Sequence, residues 1–135
     1  MITAVDTNVL LDVFGADETF GPRSRSALEQ SLGEGALVVS DAVWAETVAA
    51  FPDHKAATDA FARLGVGYSA PTHEAATRAG MAWRSYRAAG GPRTRVVADF
   101  VIGAHALVQA DRLLTRDRGF YRRYFTDLTV LDPTA

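Results

Sequence analysis

The sequence predicts a three-layer α/β fold in which a mostly parallel sheet of four to five strands lies between helices. Short apolar runs rich in β-branched residues alternate with longer stretches whose apolar residues recur at helical spacing. Glycine and proline separate many of these segments. This alternation is typical of parallel strands joined by helices that cover both faces of the sheet. We expect residues 1–135 to form a single domain.

Five segments are predicted to be strands, because each is short, apolar and bounded by turn or helix signals. The first two are ITAV (2–5) and ALVVS (36–40), which as continuous apolar runs are expected to be buried. A third, short strand is predicted within 65–69. The last two are LLT (113–115) and LTVL (128–131).

Seven segments with helical spacing connect these strands. Pro22 is well placed to open the second helix, since proline is favoured in a first helical turn. Ser40 or Asp41 can cap the third helix, and Pro52 ends it. The predicted helices cover residues 7–15, 22–32, 42–51, 53–64, 71–89, 95–110 and 117–125.

The composition, with 48% apolar and 22% charged residues, is that of an ordinary soluble globular protein. No apolar run approaches the 18 or so residues of a membrane span. Asp6 interrupts the first apolar run too early for a secretory signal. The chain has no cysteine, which excludes disulfides and thiolate metal sites. We therefore expect a cytoplasmic protein with no membrane contact, in which any metal relies on oxygen ligands.

Charge is unevenly distributed along the chain, although the net charge is only −2. The first 67 residues carry ten acidic and four basic side chains, whereas the remaining ones carry six acidic side chains and ten arginines. A GC-rich genome would also favour arginine over lysine. A local cluster of arginines nevertheless lies just before Asp99, and guanidinium groups suit phosphate. This candidate phosphate-binding cluster consists of Arg84, Arg87, Arg93 and Arg95.

Four acidic residues interrupt apolar segments near the end of a predicted strand or the start of a helix. They are Asp6, Glu46, Asp99 and Asp117. Ionised carboxylates seldom lie among apolar residues without a compensating positive charge. In open α/β sheets, ligands bind beyond the carboxyl ends of the strands, and we expect the four acids to converge there. Because converging carboxylates repel one another, a divalent cation is their natural neutraliser. The sequence therefore predicts an acidic metal site.

Small residues support this convergence. Glu46 shares its helical side with alanines, and Asp99 shares its side with Gly103 and Ala106. Small side chains let each helix approach another backbone closely. The alternative is that Asp6 and Asp117 are merely helix N-caps and that Glu46 is a solvated helix acid.

The chemistry expected of such a site is metal-assisted hydrolysis. Carboxylate oxygens suit Mg²⁺ or Mn²⁺, and these ions activate water and polarise phosphoryl oxygens. The expected reaction is therefore in-line hydrolysis of a phosphodiester. Asn8 and Thr115 each lie two residues from a candidate ligand and are expected to orient it by hydrogen bonding.

The sequence resembles PIN-domain ribonucleases and, among them, the VapC toxins of bacterial toxin–antitoxin pairs. Four blocks in the same order carry the resemblance: VDTNVLLD around Asp6, DAVWAE ending at Glu46, DFVIGAHA opening at Asp99, and LLTRDRGF containing Asp117. Together they cover nearly the whole chain, and its length is typical of these toxins.

The resemblance implies a PIN-like fold and a Mg²⁺- or Mn²⁺-dependent endoribonuclease that cleaves tRNA, rRNA or mRNA. It implies metal ligation by Asp6 and Asp99, with support from Glu46 and Asp117 directly or through water. Asn8 and Thr115 would orient the ligands. It also implies a homodimer and a VapB-type antitoxin whose C-terminal segment fills the acidic groove.

Two other functions remain open on the sequence. One is a PIN-like module that binds RNA or protein without turnover. The other is a phosphotransferase of the haloacid dehalogenase type. That class has a second acid where this chain has Asn8, and it needs a lysine near the phosphate, whereas Lys55, the only lysine, lies in a predicted helical stretch.

Overall fold

The computed structural model describes residues 1–92 and 95–135. In these residues, five strands form one sheet: β1 (Ile2–Val5), β2 (Ala36–Val39), β3 (Val66–Tyr68), β4 (Arg112–Leu114) and β5 (Val130–Leu131). The helices are α1 (Thr7–Phe14), α2 (Gly21–Glu34), α3 (Asp41–Val48), α4 (His54–Leu64), α5 (His73–Ala88), α6 (Val97–Gln109) and α7 (Arg118–Tyr124). The predicted three-layer α/β/α fold is confirmed, and every strand pair is parallel.

The order of the strands determines where a ligand can bind. It is β3-β2-β1-β4-β5, so that β1 is central and has β2 on one side and β4 on the other. From β1 the chain adds β2 and then β3 on one side of the sheet. It then returns to the other side of β1, where it adds β4 and then β5. A crevice forms beyond the carboxyl ends of the strands at such a reversal. In this chain that crevice lies beyond Val5 of β1 and Leu114 of β4.

Local sequence explains where several helices begin and end. Ser40 caps α3 by accepting a hydrogen bond from the Val43 amide, and Thr72 caps α5 in the same way through the Ala75 amide. The helix that contains Asp99 begins at Val97, two residues later than predicted. Helix α3 ends at Val48 rather than Phe51, because the amides of Ala50 and Phe51 donate to carbonyls three residues earlier instead of four.

A cluster of aromatic rings fixes the helices beside this crevice. The Phe100 ring lies at the centre, with its centroid 5.3 Å from that of Tyr86 and 5.2 Å from that of Phe120. Tyr124 contacts the same three rings. Because these rings come from α5, α6 and α7, their packing holds Asp99 on α6 near the start of α7.

Gly103 provides a test of this packing. A methyl group added there would lie 2.5 Å from the buried Phe125 ring, so Gly103→Ala is expected to lower the free energy of unfolding by about 1–3 kcal/mol. Gly80 in helix α5 has nothing within 4 Å of the same position, and Gly80→Ala is expected to raise it by about 0.5–1 kcal/mol. Urea unfolding of both variants measures the difference. If both substitutions change the free energy of unfolding equally, a glycine at position 103 is not needed for packing.

Candidate active site

Asp6 occupies the start of the crevice and is almost completely buried. It follows β1 directly, and its amide donates to the Leu114 carbonyl at 3.0 Å, which ties it to β4. One carboxylate oxygen accepts from the Thr7 amide at 2.7 Å, so that Asp6 is the N-cap of α1. The other accepts from the Thr115 hydroxyl at 2.7 Å. Both oxygens are thus oriented by neutral donors.

Asn8 and Thr115 both lie against the carboxylate of Asp6, although the sequence spacing paired Thr115 with Asp117 and not with Asp6. The Asn8 side-chain amide donates to the Thr115 hydroxyl oxygen at 3.2 Å and lies 3.4 Å from Asp6. Its carbonyl oxygen accepts from the Arg116 amide, and the Thr115 hydroxyl accepts from the Asp117 amide at 3.0 Å. These bonds connect α1 to the loop before α7, so the position of Asp117 depends on Asn8 and Thr115.

Tyr121 is the residue of the site that the sequence analysis missed. Its side chain is buried, and burial raises the pKa of its hydroxyl well above the usual range. The negative charges of Asp6, Asp99 and Asp117 raise that pKa further. The hydroxyl of Tyr121 therefore lies within the electrostatic field of carboxylates from three separate segments. The available signal in the sequence was that Tyr121 lies four residues after Asp117, a spacing that places two side chains on the same side of a helix.

The carboxyl group of Asp6 is costly to ionise in this position. Burial raises its pKa to about 6, and the nearby charge of Glu46 adds to the effect. Hydrogen bonds from Thr115, Thr7 and Tyr121 act in the opposite direction. The side chains that bond it, Thr115 and Asn8, carry no charge. A divalent cation would relieve this cost, so the chemistry of the residue fits a metal ligand.

Glu46 lies on the exposed side of the site. Its carboxylate accepts a hydrogen bond from the Thr7 hydroxyl at 2.9 Å, and Thr7 is the first residue of α1 after Asp6. Exposure and a single hydrogen bond leave Glu46 more freedom than Asp6 has. Its placement agrees with both a supporting role and the alternative of a solvated helix acid.

Asp99 and Asp117 are each bonded to a donor from this chain. Asp99 is the third residue of α6 and accepts from the Val96 amide at 3.3 Å. Asp117 forms a salt bridge with Arg95, with 2.7 Å between the guanidinium nitrogen and the carboxylate oxygen. The Arg95 guanidinium also lies 4.2 Å from the centre of the Phe120 ring. Arg95 therefore neutralises one acid of the site.

The four acids converge only loosely. Within residues 1–92 and 95–135, no three histidine, aspartate or glutamate side chains are arranged closely enough to hold one metal ion. Asp117 is directed to Arg95, and Asp99 is directed to its own helix terminus. Ligation by all four acids would therefore require side-chain rotation around Asp6.

The arginine cluster is only partly described. Arg84 and Arg87 are exposed on α5, and Arg95 is partly buried by its contacts with Asp117 and Phe120. The fourth predicted member, Arg93, lies outside the described residues.

A partly buried ion pair supports the loop that carries Thr115 and Asp117. The carboxylate of Asp12 accepts two bonds from the Arg116 guanidinium, at 2.8 and 3.0 Å, and one from the Ser24 hydroxyl at 2.8 Å. The Arg116 guanidinium also stacks 4.0 Å from the centre of the Phe20 ring. Asp12 is thus a structural residue that holds the loop in register with Asn8.

Comparison with protein families assigns the chain. The model of the PIN domain matches residues 3–126. The chain belongs to the PIN-domain family. This assignment overturns the alternative of a haloacid dehalogenase-type phosphotransferase. No curated protein is similar enough in sequence to match.

Solved VapBC and VapC structures share the fold over most or all of the chain. VapBC2 from Rickettsia felis, bound to a DNA fragment of its promoter, is 16% identical, with a TM-score of 0.75 over 98% of both chains. VapBC-1 from nontypeable Haemophilus influenzae is 21% identical, with a TM-score of 0.75 over 100% of both chains. VapC20 from Mycobacterium tuberculosis, a sarcin–ricin loop cleaving toxin, is 18% identical, with a TM-score of 0.56 over 82% of this chain and 86% of that one. At these identities the similarity establishes the fold.

The helices of the described residues are too short or too polar to cross a lipid bilayer.

The buried charge of Asp6 predicts a measurable effect on stability. Without divalent metal at pH 8, Asp6→Asn is expected to raise the free energy of unfolding by about 1–2 kcal/mol, because it removes the buried charge but keeps an oxygen for the Thr7 amide. The folded protein binds this proton more tightly than the unfolded chain does. Stability contributed by this group therefore rises as the pH falls from about 7 to about 4 in the wild type and not in Asp6→Asn.

The matched control is Glu46→Gln, which removes an exposed acid of the same site. It is expected to change the free energy of unfolding by less than about 0.5 kcal/mol. Urea unfolding in chelator across this pH range gives both comparisons. A less stable Asp6→Asn protein at pH 8 would show that the ionised carboxylate stabilises the fold.

Proposed function

We propose that this protein is a metal-dependent endoribonuclease and the toxin of a VapBC-type toxin–antitoxin pair. One observation carries the proposal: the Asp6 carboxylate is buried in the crevice beside β1 and β4, where the neutral Thr7 amide and Thr115 hydroxyl hold its two oxygens. This arrangement occurs in a chain of the PIN-domain family. The buried carboxylate of Asp6 has no basic partner among its hydrogen-bonded side chains, which supports a cation as the missing charge.

The ion that suits these oxygen ligands is Mg²⁺ or Mn²⁺. Asp6 and Asp99 would hold it, with Glu46 and Asp117 contributing directly or through water. When bound, such an ion polarises a phosphoryl oxygen and makes water a better nucleophile. Recruitment of Asp117 requires it to leave Arg95, which would free that guanidinium for a phosphate.

The residues of the chain itself supply position and charge. Thr115 and Asn8 hold the Asp6 carboxylate in a fixed orientation, which lowers the cost of organising the site during the reaction. The arginine cluster would bind phosphates on either side of the cleaved bond, which positions RNA without reading its bases. Its members in this proposal are Arg84, Arg87, Arg93 and Arg95.

The partners follow from the same proposal. The structural neighbours from Rickettsia felis and Haemophilus influenzae are VapBC complexes, which supports a VapB-type antitoxin as the partner of this chain. A basic side chain of that antitoxin would neutralise the carboxylates around Asp6. The RNA substrate would be a tRNA, rRNA or mRNA, the protein a homodimer, and its compartment the cytoplasm.

A second function is favoured by a specific observation. Arg95 already neutralises Asp117, and the described acids are not arranged closely enough to hold an ion together. Both facts would suit a PIN module that binds RNA or protein without cleaving it. Metal-dependent turnover separates the two functions.

Cleavage of RNA tests the proposed reaction. The purified chain is expected to cut total bacterial RNA into discrete fragments with Mg²⁺ or Mn²⁺ and not with chelator. Asp6→Asn and Asp99→Asn are expected to lower the rate at least about 100-fold, because each removes a charge that would bind the ion. Asp127→Asn, which alters an exposed acid on another surface, is the matched control and should cut normally.

Unchanged cleavage by Asp6→Asn would contradict the assignment of the site. Absence of cleavage by a folded chain that binds both RNA and Mn²⁺ would favour the binding module.

Growth inhibition tests the role as a toxin. Induced expression of the chain in bacteria is expected to stop growth. Cells that express the Asp6→Asn variant should grow, and so should cells that express the wild-type chain together with the antitoxin encoded next to it. Asp127→Asn should remain toxic. If the wild-type chain is expressed at the same level and growth is unaffected, the proposed role as a toxin is contradicted, whatever the activity of the chain on RNA.

A further inference from the structure

A cleft lies between the end of α5 and the start of α6, next to the acidic site. Its volume is about 600 Å³, and Trp83, Tyr86, Arg87, Arg95 and Val97 are among the residues that line it. Neither the fold nor the ligation of an ion requires such a cleft.

The base of the cleft is preformed. Tyr86 is buried in the aromatic cluster, and its hydroxyl donates to the Pro92 carbonyl. The Gly91 amide donates to the Tyr86 carbonyl at 2.9 Å. Gly91 lies so close to the Tyr86 ring that an added methyl group would come within 2.5 Å of it, which makes glycine necessary here. A ligand would therefore meet a base that is already ordered.

The walls combine apolar surface with positive charge. The guanidinium carbon of Arg87 lies 5.5 Å from the centre of the Trp83 ring, and Arg95 stands at the other end of the cleft. Val96 and Val97 expose 56% and 44% of their surface there. No acidic residue lines the cleft among the described residues. Such a surface suits a flat, apolar ligand that carries negative charge.

The cleft is connected to the acidic site through Arg95. This residue lines the cleft and also forms the 2.7 Å salt bridge with Asp117. A polynucleotide whose phosphate contacts Arg95 would therefore have its neighbouring phosphate close to the carboxylates. A ligand in the cleft and a reacting phosphodiester are thus compatible with one continuous strand.

We propose that this cleft binds one unpaired nucleotide of the RNA, with its base against Trp83 and its phosphate between Arg87 and Arg95. This inference rests on the proposed function and adds the form of the substrate to it. An unpaired nucleotide has both of the properties that suit the cleft, namely an aromatic face and a negative charge. A protein segment would need an aromatic and an acidic residue in suitable succession. Proteins commonly recognise unpaired bases by stacking on aromatic rings and on arginine.

Fluorescence of Trp83 provides a direct test. The chain has two tryptophans, and Trp44→Phe leaves Trp83 as the sole reporter while keeping an aromatic ring against Phe61. In chelator, so that no RNA is cut, single-stranded hexaadenylate is expected to quench this emission to saturation. A duplex RNA of equal phosphate concentration and inorganic tripolyphosphate are expected to quench it far less. If Trp44→Phe fails to fold, the same titrations are made on the wild-type chain.

Variants separate stacking from charge in the binding of labelled hexaadenylate, measured by fluorescence anisotropy. Trp83→Leu is expected to weaken binding about 10- to 100-fold, and Trp83→Phe only a few-fold, because phenylalanine keeps an aromatic face. Arg87→Gln is expected to weaken binding and lower its salt dependence. Arg78→Gln, on the same helix but paired with Glu74 away from this cleft, is the matched control and should bind normally.

Two results would overturn the proposal. One is Trp83 emission that does not respond to hexaadenylate bound by the same protein, and the other is unchanged affinity in Trp83→Leu. Either would leave a protein segment as the occupant of the cleft. Metal-dependent cleavage together with an unresponsive Trp83 would refute the nucleotide site alone, whereas a quenched Trp83 without any cleavage would refute the proposed enzyme and keep the site.

Discussion

The structure of the site depends on one buried carboxylate, that of Asp6. Burying a charge costs free energy of folding, and for this reason the pKa of the Asp6 carboxyl is raised to about 6. The fold accepts it because the Thr7 amide and the Thr115 hydroxyl each hold one carboxylate oxygen at 2.7 Å. Asp6 also joins the end of β1 to β4 through its amide. A residue that costs stability and is still fully oriented is characteristic of a functional position.

The surrounding structure serves to hold this carboxylate and its neighbours in place. The Asp12–Arg116 ion pair fixes the loop that carries Thr115, and the ring of Phe100 fixes α6 against α7. Asp12 and Phe100 are buried, whereas Glu46 is exposed and Arg95 is partly exposed. The site therefore has a rigid interior around Asp6 and a more adjustable rim. Adjustment at the rim is what ligation by Asp117 would require, since Arg95 holds that carboxylate at present.

The sequence was sufficient to predict the fold, because apolar runs and helical spacing are local signals. It also predicted that Asn8 and Thr115 would each orient the aspartate two residues away. The bond from Thr115 to Asp6 was not predicted, and it forms because the ends of parallel strands meet at one edge of the sheet. Tyr121 was missed because its proximity to Asp6 depends on how α7 packs in the folded chain. The Arg95–Asp117 pair was missed for the same reason: its partners are 22 residues apart, and their contact depends on the path of the loop between them.

The proposed reaction requires that a divalent cation supply the charge missing around Asp6. Anomalous diffraction from crystals soaked in MnCl₂ tests it most directly, because manganese can be located without assuming its ligands. A manganese peak in contact with the Asp6 carboxylate is expected, and it should be absent from crystals of Asp6→Asn. A wild-type map with no peak at Asp6, at a manganese concentration that labels other carboxylates of the same molecule, would contradict it.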